Sequence, residues 1–310
     1  MKSVKASYLA AILAILFWGT TYALSKFVVP DPLSPITFTA IRSVLGFGSL
    51  LIYLVLSRQI RLFLQVFRKH IWAFLIIGSI FYTGAYVVQY WGISHTTATH
   101  QAIISETQTF WVVLINLFIF KQKPRKIFIL GAFLAFIGVV LVATNDDFSV
   151  SPDTITGDTI SIFAFILWGA YTAFSKPLTG QERPIFVTIA TIFWGTVFIV
   201  PISLILGGVS EMSQLSGDQW AIMVYLGIIC VGLTFVLWNY ALSNKEVPSE
   251  NISLFTMLTP IIGITTSYLW LGETITPRII VGCAIILLAL FLAEYPEKGS
   301  RKKILNEITR

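Results

Sequence analysis

Two long apolar segments of this chain repeat one another at an interval of 150 residues. Trp18-Gly19 returns as Trp168-Gly169, Ser25-Lys26 as Ser175-Lys176, and Gln89-Tyr90 as Asn239-Tyr240. Gly131 matches Gly282 with a slip of one position. Halves that stay in register almost to their ends read as two copies of one unit, a construction typical of carriers that hold their site between the copies.

The surrounding medium follows from composition. Hydrophobic residues make up 56% of the chain and charged residues 12%, with a mean hydropathy of +0.81. A water-exposed surface does not tolerate that balance. Cys230 and Cys283 both lie in apolar runs and read as small core residues, not as a disulfide framework.

A bilayer core is crossed by roughly 20 apolar residues at about 1.5 Å each. Ten such stretches occur, near 7–28, 35–57, 71–93, 97–120, 126–144, 158–178, 185–206, 219–242, 250–271 and 278–295. The expected fold is therefore all-α and integral to the membrane, with ten transmembrane helices. A first unit covers 7–144, an extracytoplasmic linker 145–157, a second unit 158–295, and a basic cytoplasmic tail 296–310. The first stretch holds Thr20, Thr21 and Ser25 and has a repeat partner, so it reads as a span and not as a cleaved leader.

Lys and Arg positions set the orientation. With the N-terminus in the cytoplasm, the inner side gathers Lys2, Lys5, Arg58, Arg61, Arg68, Lys69, Lys121, Lys123, Arg125, Lys126, Lys176, Arg183, Lys245 and the tail, and the outer side only Lys26 and Arg278. Both termini are then expected inside. A unit with an odd number of helices must be followed by its copy upside down, giving a 5+5 inverted repeat. The net charge of +6 borders the cytoplasmic leaflet, so it points to the lipid bilayer as partner and not to nucleic acid.

Helices 5 and 10 are almost wholly aliphatic, with Gly131, Ala135 and Gly138 spaced for close contact; they are expected at the periphery, where a homo-oligomer would form. Helices 1, 2, 3, 4, 6, 8 and 9 carry the polar groups, and those faces are expected to enclose a central cavity. Arg42 and Glu106 fall deep within helices 2 and 4, where an unpaired charge costs about 3 kcal/mol. Neither has a charged counterpart in the other unit: Ile192 stands opposite Arg42, and Phe255 or Thr256 opposite Glu106. These symmetry-breaking charges are the leading site candidates. Mid-helix Trp18, Tyr22, Tyr82, Tyr86, Trp111, Trp168 and Tyr171, with Gln89, are candidate cavity walls, and aromatic spacing of this kind also serves plain packing.

Gly19 and Gly169 mark weak points at matched positions, and Pro260 predicts a kink within helix 9. Lys26 and Lys176 stand at opposite ends of helices 1 and 6, where they are expected to close the cavity alternately. No GxxxxGK[ST] loop occurs, so nucleotide-driven pumping is not expected and neither cofactor nor metal is called for. Glu106 is the candidate carrier of a coupling proton; an uncoupled facilitator or exchanger is the alternative. His95 and His100 are five apart, poorly aligned on one helical face, and read as polar lining and not as catalysts of an intramembrane enzyme.

The Trp-Gly and Ser-Lys pairs of helix 1, the Arg of helix 2, the turn from Gly272-Glu273 to Pro277 and the Gly-bearing tenth helix together resemble the drug/metabolite transporter superfamily, in its EamA-type branch. The resemblance covers about 7–295 and implies a 5+5 carrier of the cell inner membrane, often an exporter of amino acids or related metabolites. Antiport of phosphorylated metabolites or nucleotide sugars, also found in this superfamily, would need several converging cations. Ala98 to Ile103 is similar to the start of helix 4 in aromatic amino-acid exporters of the superfamily. Where many members carry Pro in helix 4, this chain has Trp111, which predicts an asymmetry between helices 4 and 9.

Overall fold

The computed structural model describes residues 3–122, 127, 130, 131, 133, 134, 137, 138, 141, 154–249, 252 and 254–294. Most of the predicted fifth span, the greater part of the midpoint linker and the basic tail lie outside these residues. The described residues are helical, without strands. In hydrocarbon only a helix or a closed barrel satisfies its own backbone polar groups, so an apolar chain of this kind has little other choice.

Among the described residues six helices are long and apolar enough to cross a membrane: α1 (Val4–Ser25), α2 (Pro35–Leu56), α4 (Ile71–Ser94), α7 (Ile155–Gln181), α8 (Pro184–Ile205) and α10 (Gly217–Leu242). They correspond to the expected spans 1, 2, 3, 6, 7 and 8. The expected fourth span is instead two helices, α5 (Ala98–Ile104) and α6 (Thr107–Phe118). The ninth begins with a 3₁₀ turn, Leu254–Met257, that leads into α11 (Leu258–Leu271), and the tenth is α12 (Pro277–Glu294). Between the spans lie two shorter helices, α3 (Ile60–Lys69) and α9 (Gly208–Ser213). The segment 58–70, between two predicted spans, thus holds a helix of its own.

Packing follows the repeat. α1 lies against α11 and α7 against α6; α2 lies against the middle of α10 and α8 against the middle of α4. Each pair becomes the other when 150 is added to or subtracted from its numbers. Gly19 and Gly169 stand at the first two of these crossings. A Cβ added to Gly19 would come 2.6 Å from Ile262 Cβ, and one added to Gly169 would come 2.7 Å from Trp111 Cβ. Both parent helices run unbroken through these glycines, so the visible use of each is close approach and not a bend.

Two further irregularities also match. α4 widens to a π-helix over Ile77–Thr83 and α10 over Tyr225–Leu233. In each, a threonine hydroxyl donates to the carbonyl five residues back, Thr83 to Gly78 at 3.0 Å and Thr234 to Ile229 at 2.8 Å. Such bulges are frequent at functional sites.

The kink predicted at Pro260 is displaced. Pro260 is the third residue of α11, in a first turn where a helix has no use for the missing N–H; the irregular backbone is the 3₁₀ turn before it. The predicted asymmetry with helix 4 fails for a related reason. Helix 4 breaks at Ser105-Glu106 without a proline, because Ser105 Oγ donates to the Ala102 carbonyl at 2.6 Å and Thr107 Oγ1 to the Ile104 carbonyl at 2.8 Å. Side-chain hydroxyls compete there with the backbone ladder.

Candidate functional site

The two breaks border a cavity. It is lined from α1 by Trp18, Thr21 and Tyr22, from α2 by Arg42, from α4 by Tyr86, Gln89 and Tyr90, and from the α5–α6 break by Ser105 and Gln108. The second half contributes Phe165, Trp168, Tyr171 and Thr172 of α7, Trp238 of α10, and Thr256 and Thr259 around the start of α11. These are the seven spans whose polar faces the sequence had singled out.

Arg42 is the charged member of the lining, and it is 1% exposed. Its Nη1 donates to the Tyr90 hydroxyl and its Nε to the Leu226 carbonyl at 3.4 Å, in the π-helical part of α10. The guanidinium lies against three rings, 4.9 Å from the centroid of Tyr86, 5.2 Å from Tyr90 and 5.3 Å from Phe38. Nη2 has no hydrogen-bond partner among the described residues.

Glu106 lies behind the lining, fully buried at the α5–α6 break. Its Oε2 accepts from Thr256 Oγ1 at 3.3 Å, and its Oε1 has no partner among the described residues. Among those residues Arg42 and Glu106 form no ion pair with one another. Each of these two ionisable side chains is thus held by neutral groups. Tyr90, Thr256, Ser105 and Trp238 are site neighbours that charge and mid-helix position did not single out. Tyr90 and Thr256 were nevertheless visible in the sequence, as a member of the matched pairs and as the repeat counterpart of Glu106.

The aromatic candidates divide. Trp18 donates its indole N–H to the Cys230 carbonyl at 2.9 Å and packs on Trp238 at 5.2 Å. Trp168 donates to Gln89 Oε1 at 2.7 Å and meets Tyr86 edge-on at 4.7 Å. These contacts fix the faces that Trp18, Trp168 and Tyr86 present to the cavity. Tyr82 stands one layer behind, packed on Tyr86 and Phe235, and Trp111 lies against Gly169; neither lines the cavity. Asn239, the counterpart of Gln89, donates to Tyr171 at 3.0 Å and Thr188 at 2.7 Å, tying three helices together.

The two lysines are seated alike. Lys26 Nζ donates to the carbonyls of Ile93, in the last turn of α4, and Thr96, just past its end, both at 2.7 Å. Lys176 Nζ donates to Leu242 at 3.2 Å, Asn244 at 2.7 Å and also Val247, just past the end of α10. A cation suits helix ends whose carbonyls have lost their intrahelical partners. Glu273, from the turn quoted above, accepts from the backbone N–H groups of Ala98 and Thr99 at 3.0 Å and so caps α5. His100 lies 3.1 Å from Asp158, which also accepts from Thr96 at 2.5 Å. Among the described residues no group of three or more His, Cys, Asp or Glu is placed to hold a metal.

The model of the EamA-like transporter family matches residues 5–144 and again 155–295. The chain belongs to the EamA-like transporter family. The uncharacterized transporter YyaM of Bacillus subtilis is similar to it, 25% identical over 90% of each chain. A probable terminal-alkyne amino-acid exporter of Streptantibioticus cattleyicolor is 27% identical over 69% of each. A crystal structure of 18% identity superposes with a TM-score of 0.71, covering 94% of this chain and 97% of its own, which shows a shared fold. As an EamA-like protein with six long apolar helices, the chain is a multi-pass membrane protein. The names of its relatives point to transport.

Proposed function

We propose that this chain is a secondary transporter that exports small metabolites, amino acids or related amphipathic solutes, across the cell inner membrane by alternating access around this cavity. The observation that carries the reading is Arg42, a buried guanidinium at the cavity wall whose Nη2 lacks a partner among the described residues. A charge in that position is costly until a ligand completes it. The carboxylate of a solute is a suitable complement, and the rings of Trp18, Tyr86, Trp168, Tyr171 and Trp238 accept an apolar body. The exporter name carried by one relative supports the amino-acid class.

In this reading ten spans form a 5+5 inverted repeat with both termini in the cytoplasm. The interchange of helix pairs at the repeat interval supports that arrangement. Lys26 and Lys176 release their carbonyls in turn as the two ends open. The movement is taken up around the breaks at Ser105-Glu106 and before Pro260, with Gly19 and Gly169 as crossing points. Glu106 is the candidate for a coupling proton. The exposed apolar side chains of α12, among them Ile280, Val281, Leu288 and Phe291, offer a surface to lipid or to a second copy. The phosphorylated-metabolite alternative has less support, since Arg42 is the one charged residue among those lining the cavity.

Uptake into proteoliposomes over a panel of amino acids, organic cations and sugar phosphates, with and without a pH gradient, tests the proposal. Saturable transport of an amphipathic carboxylate, lost in Arg42→Ala but with folded protein retained, is the expected result. Transport of sugar phosphates alone, or undiminished rates in Arg42→Ala, would overturn it.

A further inference from the structure

α3 takes no part in the cavity, and its composition calls for another surface. At about 100° per residue, Arg61, Gln65, Arg68 and Lys69 share one arc of the helix, and Ile60, Leu62, Phe63, Leu64, Val66 and Phe67 occupy the rest. No residue of α3 is buried. Phe63 and Phe67 rest on Phe186 and Trp194, each at 6.0 Å, so one side of the apolar arc is covered by the protein. The flanks are not: Ile60, Leu62 and Leu64 are 41%, 47% and 41% exposed, and Trp72, just beyond the helix, is 74% exposed. A cationic arc, apolar flanks and a neighbouring exposed Trp are the make-up of a helix lying in the plane of a membrane interface.

The cations are unequal. Lys69 is bonded to Glu182 at 2.8 Å, whereas Arg58, Arg61 and Arg68 form no ion pair among the described residues. The chain has no acidic residue between Asp31 and Glu106, so none arises from this element or its neighbours in sequence. Glu182, the acidic partner of Lys69, is shared with His70.

We propose that α3 is a binding site for anionic phospholipid, with Arg58, Arg61 and Arg68 on the headgroup phosphates and Ile60, Leu62, Leu64 and Trp72 in the acyl boundary. Charge complementarity selects the anionic headgroup. The exposed apolar flanks select a bilayer over an acidic soluble partner, which would leave them in water. The site is independent of what the central cavity carries.

The test uses the full chain in nanodiscs, with a fluorophore on Gln65→Cys, since Cys230 and Cys283 are buried. Energy transfer is measured to headgroup-labelled phosphatidylglycerol and, separately, to headgroup-labelled phosphatidylcholine. Wild-type protein is expected to favour phosphatidylglycerol. Each single Arg→Gln substitution at 58, 61 or 68 should raise the half-saturating phosphatidylglycerol fraction about fivefold, the factor given by about 1 kcal/mol per basic residue near an anionic surface. The triple Gln variant should lose the preference and a triple Lys variant keep it, which separates lost charge from misfolding. Equal transfer to the two lipids in the wild type, or a preference that survives the triple Gln substitution, would overturn the proposal.

Discussion

Thr256 donates its hydroxyl to Glu106 at 3.3 Å, and the two residues are 150 positions apart, the same interval that separates Trp18 from Trp168. The contact joins a residue of the first matched unit to its counterpart in the second. Glu106 is therefore a buried carboxyl placed at a contact between the halves, at the break of helix 4, facing the turn that breaks helix 9. A group so placed is sensitive to movement of either half.

Glu106→Gln keeps the volume of the side chain and a carbonyl oxygen able to accept from Thr256. It should fold normally and lose transport, or lose its dependence on a pH gradient, in proteoliposomes. Thr256→Val removes the donor and should lower stability by about 1–3 kcal/mol, the range for a buried polar group left unsatisfied. Thermal unfolding in detergent would show it.

Arg42→Lys retains a charge but not the planar fork that reaches Tyr90 and Leu226 and lies against Phe38 and Tyr86. Such a replacement is not conservative at a stacked site. Transport should fall at least about tenfold, the equivalent of one lost interaction of about 1.4 kcal/mol. An unchanged rate would show that charge alone suffices.

Gly169→Ala places a methyl 2.7 Å from Trp111 Cβ, which cannot swing aside as a flexible side-chain tip would. Overpacking of this kind costs about 1–3 kcal/mol. Gly48→Ala, where an added Cβ meets nothing within 4 Å, is the matched comparison and should be neutral or stabilising by up to about 1 kcal/mol. The melting temperature of Gly169→Ala should fall and that of Gly48→Ala should not.

Lys26→Met and Lys176→Met each withdraw a cation from carbonyls beyond a helix end. Hydrogen bonds to charged groups contribute about 1.5–3 kcal/mol, so each variant should melt at lower temperature. In the proposed orientation Lys176→Met also removes the cation at the inner end. In proteoliposomes of known orientation the two variants should differ in which direction of transport is more impaired.

The Lys69 ammonium, by hydrogen-bonding to Glu182 beyond the end of α7, holds that carboxyl below the usual carboxylate range, against a smaller opposing effect of burial. A depressed carboxylate contributes stability that is present above its unfolded value and is lost as pH falls through the folded one. Wild type should therefore exceed Glu182→Gln in melting temperature at neutral pH, and the difference should vanish once the pH drops below the ordinary carboxylate range. A constant gap down to strongly acid pH would contradict this.

Much of the molecule was already written along the chain. The interval of 150 residues identified the repeated unit, and runs of apolar residues located the six long helices, because a bilayer demands length and hydrophobicity and little else. The seven spans that carry polar atoms are the ones that line the cavity, since lipid penalises those atoms everywhere else. Linear order did not reveal that Arg42 and Glu106 would each be held by neutral partners, that Tyr82 and Trp111 would stand behind the lining, or that helix 4 would break on hydroxyls instead of a proline. Those outcomes depend on which groups approach through space: a tyrosine 48 positions from Arg42, a threonine 150 from Glu106, and a carbonyl 184 from Arg42. Apolar periodicity is a property of neighbours along the chain; the partner of a buried charge is chosen by packing, and only the assembled helices supply it.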